Sequence, residues 1–184
     1  MFRPVYRFTL VLIVMGLSAC SSNSPTIESN MGVKGAPDWV NEGTQSVDSV
    51  DGRFIYGVAS APSMNDESLQ TATADNRARA EVAKVVSTYV DSTMSDYTAA
   101  TGDTSSNSIE NSINSATQTV LNGAKIKGRW KDKNTGNVYS FAEMDMKALD
   151  DAISTAGKLS DSFKAYYSEN ASANFDRFIK DTEE

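Results

Sequence analysis

Three consecutive stretches, LNGAKIKGRW (residues 121–130), KDKNTG (131–136) and NVYSFAEMDM (137–146), decide the architecture of this chain. The outer two are rich in residues suited to a pleated strand, and the charged segment between them carries Asn134 and Gly136, both able to take positive φ. An antiparallel hairpin is therefore predicted. Within its second strand Tyr139, Phe141, Glu143 and Asp145 share one face, and Val138, Ser140, Ala142, Met144 and Met146 share the other. Neither set is cleanly apolar, so the pattern leaves open which face meets the rest of the core.

Helical periods flank the hairpin. From about Asp66 to Tyr97, Ala78, Val82, Val85 and Tyr89 recur at i, i+4, i+7 and i+11, while most charged residues fall elsewhere, which predicts an amphipathic helix on a sheet. Asn65 is the expected N-cap, with Asp66 and Glu67 favoured in the first turn by the helix dipole. Arg77 and Arg79 read as a solvated face, Glu81 standing four residues after Arg77. Beyond the hairpin a second helical pattern runs from Lys147 to Asp181, with the acids Asp150 and Asp151 suiting its first turn. Leu149, Ala152, Ala156, Leu159, Phe163 and Tyr166 follow 3-4 spacing, a seam that packs on this chain's own sheet, the preferred reading, or on a second subunit. Gly157 weighs against a free-standing helix, since it costs about 1 kcal/mol there.

Ahead of the first long helix, Arg53-Phe54-Ile55-Tyr56-Gly57-Val58-Ala59-Ser60 reads as a strand, with Gly57 marking a bulge or a close helix approach. The order is strand, helix, hairpin, helix. The expected fold is α+β: a small antiparallel sheet, a long amphipathic helix packed on it, and a long C-terminal helix. Residues 99–115 are nearly devoid of apolar groups and read as a loop, with a short helix allowed by Ile109 and Ile113. Pro37-Asp38-Trp39-Val40 opens the ordered part, Trp39 docking on the core or presenting itself to a glycan or partner.

The first twenty residues carry Arg3 and Arg7 ahead of an uncharged apolar run from Phe8 to Leu17, the layout of a secretory signal too short to span a bilayer. The run ends at Leu17-Ser18-Ala19-Cys20, small residues before the only cysteine of the chain. That tetrad resembles the bacterial lipobox, which implies cleavage before Cys20 and acylation of its thiol. Ser21, in place of an aspartate, points to the outer membrane. Residues 20–36 read as the lipidated cysteine and a flexible tether, sixteen residues after Cys20 reaching at most about 50 Å. The expected division is signal peptide 1–19, tether 20–36, α+β domain 37–149 and helical extension 150–184.

Composition narrows the function. The formal charge of −7 becomes −9 once residues 1–19, with two arginines and no acid, are removed. Such a chain does not invite nucleic acid or anionic headgroups. With no histidine, a Ser-His-Asp triad and the usual zinc sites are excluded. Neither a phosphate-cradling G-x-x-x-x-G-K-[ST] stretch nor a dinucleotide fingerprint is present. Glu143 and Asp145 would sit about 7 Å apart on one strand face, but acids at a strand's end are common solvated surface. The expectation is a non-enzymatic protein with no catalytic residues, cofactor or metal, Cys20 being its one modified site.

The lipobox, the Pro37-Asp38-Trp39-Val40 start, the Tyr56-Gly57-Val58-Ala59 strand, the helix around Asn76-Arg77-Ala78-Arg79-Ala80-Glu81-Val82-Ala83 and the hairpin from Trp130 to Tyr139 together resemble the Lpp-twenty family of small envelope lipoproteins. The resemblance covers Pro37 to Leu149 and includes a flagellar lipoprotein in its range. It implies a binding or assembly module at the outer membrane. Its partners would be membrane lipid through acylated Cys20 and other proteins, including a second copy through the C-terminal helix. A monomeric lipoprotein that regulates a periplasmic enzyme is the other reading.

Overall fold

A computed structural model of the 184-residue chain describes residues 32–45, 52–102, 111, 113 and 123–183. These residues form helix α1 (Asp38–Glu42), a 3-10 turn (Gly43–Gln45), strand β1 (Phe54–Ala61) and helix α2 (Glu67–Thr101). Strands β2 (Lys125–Lys131) and β3 (Val138–Asp145) follow, then helices α3 (Met146–Thr155) and α4 (Asp161–Glu183). The fold is α+β as expected. The sheet is antiparallel throughout in the order β1-β3-β2.

The hairpin forms where the sequence places it, although β2 begins only at Lys125 and the first two residues of the quoted stretch lie outside the described residues. Its turn is organised differently from the expectation. Gly136 takes φ 73°, but no residue other than glycine has positive φ among those described, so Asn134 is not used that way. Instead the Asp132 carboxylate accepts from the Asn134 N–H at 2.9 Å and from the Thr135 hydroxyl at 2.6 Å, an Asx arrangement that turns the chain locally. Gln70, buried on α2, donates to the carbonyls of Gly136 at 2.8 Å and Ala61 at 3.3 Å, tying the turn and the end of β1 to the helix.

The alternation within β3 is resolved by α2. Val138, Ser140, Ala142 and Met144 are buried beneath it, with Ile55 and Ala61 of β1, whereas Tyr139, Phe141 and Glu143 face outward half-buried. Gly57 is a close helix approach and not a bulge. It pairs in regular register with Ala142, and a Cβ at this position would meet the Val82 nitrogen at 2.7 Å and the Ala78 carbonyl closer still. Only a strand residue without a side chain lets α2 lie this near the sheet. The irregularity falls in β2, between Ile126 and Gly128.

Helix α2 is capped by Asp66, whose carboxylate accepts from the Leu69 N–H at 2.9 Å, so the cap is one residue later than the Asn65 expected. It ends at Gly102 in the left-handed conformation, the usual geometry for stopping a helix. The first residues of the expected 99–115 loop thus belong to the helix. Asn111 and Ile113 are helical and Ile113 is buried, while Ile109 lies outside the described residues.

The C-terminal pattern forms two helices, not one. Asp145, one of the two paired strand acids, caps α3 by accepting from the Lys147 N–H. The chain leaves helical geometry after Thr155, turns through Gly157, and restarts where the Ser160 hydroxyl accepts from the Phe163 N–H at 3.3 Å. The apolar seam faces inward: Leu149, Leu159 and Phe163 are buried in the core shared with α2, Ala152, Ala156 and Tyr166 pack half-buried against it, and Ile153, Tyr167, Phe175 and Phe178 are buried beside them. Tyr89 sits edge-on to Phe175 and Phe178, and Tyr97 edge-on to Phe163 and Tyr166. One helix therefore serves two partners, the sheet and α4. The described residues from Gly32 onward belong to one compact unit.

Candidate functional site

The one modified residue expected from sequence, Cys20, and the signal and tether segments up to residue 31 lie outside the described residues. The described part presents a different feature, an aromatic face on the side of the sheet that α2 does not cover. Phe54 and Tyr56 alternate on β1, Tyr139 and Phe141 on β3, and Trp130 stands opposite Tyr139 on β2. Trp39 reaches the same face from α1. Its ring lies 5.7 Å from that of Phe141 and inclined at 61°, and its edge is 3.9 Å from where a Gly128 side chain would begin. Tyr56 stacks between Phe54 at 6.3 Å and Phe141 at 5.3 Å, and Trp130 meets Tyr139 at 5.5 Å. Offset and edge-on pairs at these distances are favourable arrangements for ring quadrupoles.

All six rings are half-buried, so each offers part of its surface to a neighbour. Charges on this side neutralise one another: Lys127 and Glu143 pair at 3.2 Å. Burial first, and then the Glu143 charge, raise the Tyr56 phenol above its ordinary value. Trp39 thus packs on the outer face of the sheet through Phe141, and not on the buried core that the first of its two sequence readings named. The wider aromatic set escaped that reading, although alternation of rings at 54 and 56 and at 139 and 141 was its signal.

Beneath the sheet lies a polar cluster. Asp75 of α2, 8 % exposed, accepts two hydrogen bonds from the Arg129 guanidinium at 2.8 and 2.6 Å and one from the Ser140 hydroxyl at 2.7 Å. The Arg129 hydrogen bonds chiefly hold its carboxyl below the usual carboxylate range, against the opposing effect of burial. Arg77 is exposed as expected of a solvated face and Arg79 is half-buried, and both also work as fasteners, donating to the carbonyls of Ser60 at 2.8 Å and Ala124 at 3.2 Å.

A second polar group lines a cleft of about 330 Å³ between α3 and α4. Arg53 pairs with Asp150, donates to the Ala171 carbonyl at 3.2 Å and lies 5.9 Å from the centre of the Phe175 ring. Tyr167 donates to the other Asp150 oxygen at 2.9 Å. Asp150 is thus an internal partner, while Asp151 pairs with Lys147 one turn earlier on the helix surface. Each of the two strand acids has a structural partner, Glu143 pairing with Lys127 and Asp145 capping α3. Among the described residues no group of three or more acidic or cysteine side chains is placed to hold a metal ion, and no helix is long and apolar enough to cross a membrane.

Comparison with known families gives a match over residues 37–145, from the proline that opens the ordered part to the cap of α3. The chain belongs to the LPP20 lipoprotein family. The family resemblance read from Pro37, Trp39, the Gly57 strand and the hairpin is thereby established, and the family is one of lipoproteins. Within the fold, the matched segment contains the whole sheet, α1 and α2, and therefore both the aromatic face and the Asp75 cluster. No curated protein and no solved structure matches the chain.

Proposed function

We propose that this LPP20 protein is a non-enzymatic lipoprotein of the bacterial outer membrane, cut after residue 19, acylated on Cys20, and acting as a structural or assembly component of the envelope. Family membership over residues 37–145 is the observation that carries the proposal. The Leu17-Ser18-Ala19-Cys20 tetrad supports it, because two or three acyl chains, at about 0.8 kcal/mol for each buried CH₂, hold a protein durably on a bilayer. A place in a flagellum-associated ring is one form that such a role takes in the family resemblance.

The burial of Leu159, Phe163 and Tyr167 inside the chain favours a second reading. The apolar stripe of α4 is already covered by α2, so self-association would have to use a different surface. A monomer that regulates a periplasmic enzyme needs no such surface. Metabolic labelling with an alkyne fatty acid tests the anchor: Cys20→Ala should lose the label and leave the membrane fraction, and a variant that keeps both defeats the proposal. Light scattering of the mature chain separates the two roles, a defined oligomer favouring assembly and a monomer at high concentration favouring the regulator.

A further inference from the structure

Both tryptophans of the chain lie on the outer face of the sheet, together with Tyr56 and Tyr139. Indole and phenol groups have an apolar body and a polar tip, which is why they concentrate where hydrocarbon meets water. The chain also enters the folded body on this side. Val33 exchanges hydrogen bonds with the Asn41 side chain at 2.7 and 3.3 Å, beside the helix that lays Trp39 on Phe141. Between Cys20 and Gly32 stand eleven residues, a reach of at most about 40 Å.

Charge is distributed in the same sense. On the aromatic side Lys125 and Lys127 stand against Glu143 and Asp145, whereas α2 and α4 together carry ten acids and six bases. Acids on the helices are repelled by anionic headgroups and the aromatic face is not. We infer that the outer face of the sheet rests on the surface of the bilayer to which Cys20 ties the chain, with Trp39, Trp130, Tyr56 and Tyr139 at the level of the headgroups. The inference builds on the proposed acylation of Cys20. A short tether holds a domain at an effective concentration on the order of millimolar, so a contact too weak to recruit the free domain still orients the anchored one.

The test uses the mature chain without residues 1–19, whose single thiol at Cys20 is coupled to a maleimide lipid in phosphatidylcholine vesicles. Tethering is then imposed chemically, and failure of the orientation is distinct from failure of acylation in the cell, which the Cys20→Ala labelling reads separately. With lipids brominated near the carbonyl end of their chains, the native tryptophans should shift to the blue and lose emission. A variant carrying Trp39→Phe, Trp130→Phe and Ser87→Trp reports from the exposed side of α2 and should keep its emission. Native emission unchanged from solution, or equal quenching at position 87, overturns the inference. A blue shift that grows with protein concentration in the absence of vesicles also overturns it, showing the face to be covered by a second copy.

Discussion

Gly57 of β1 and Val82 of α2 approach so closely that a methyl group on the glycine would lie 2.7 Å from the valine nitrogen and 2.9 Å from its Cγ2. Backbone atoms cannot move aside as the end of a flexible side chain does. Gly57→Ala should therefore push α2 off the sheet and lower stability by about 2 to 3 kcal/mol, read as a fall in the denaturant midpoint. A change below about 0.5 kcal/mol in this measurement would mean that the helix stands farther from the strand.

Asp75 makes the fold sensitive to acid. Its carboxyl titrates lower in the folded chain than in the unfolded one, so the unfolded chain takes up its proton first as the pH falls. The contribution is complete above the unfolded value of about 4 and disappears as pH drops through the lower folded value. Asp75→Asn should destabilise the chain at neutral pH and flatten the stability profile in the acid range. Equal slopes for the two proteins would show that another carboxylate governs acid unfolding.

Leu159 distinguishes core from interface. At 5 % exposure it sits in the turn between α3 and α4, facing α2. Leu159→Asp buries an unpaired charge and should cost about 3 kcal/mol or more, seen as lost helical circular dichroism or a lowered melting temperature. A folded protein of altered mass would instead place this residue between copies.

The Tyr167 hydroxyl satisfies one Asp150 oxygen while Arg53 satisfies the other. Tyr167→Phe keeps the ring packed on Phe163 and removes the hydroxyl, which also interacts with that of Tyr89, so a loss of about 1 to 2 kcal/mol is expected in urea denaturation. A double-mutant cycle with Asp150→Asn should show strong coupling, and simple additivity would deny the bond its role.

Much of this architecture was legible because it rests on period and turn chemistry. The alternation of β3, the apolar row from Ala78 to Tyr89 and the hairpin turn are each local patterns, and each forms. The faces of the sheet were not legible, because Ser140 and Glu143 make both look mixed. Only the approach of α2 at Gly57, and the Asp75 carboxylate waiting beneath Ser140, decide the inner side. Arg129 lies fifty-four residues from Asp75 in sequence, a separation at which spacing carries no information. The division of the last helix came down to competition: 3-4 spacing continued past Gly157, but glycine in the helix interior and a serine ready to cap at 160 favour a break. The expected anchor site, Cys20, lies outside the described residues.

The segment shared with the family stops at Asp145, yet the far half of α2 is roofed by α4. Cut at that boundary, Tyr89, Val90 and Tyr97 would lose Phe163, Phe175 and Phe178 and stand in water as a sticky stripe along a bare rod. The matched segment is a half-built house in this chain. Synthesised from its N-terminus, it would wait, roofless, until the last thirty-odd residues arrived, and until then that stripe is open to any neighbour that meets it.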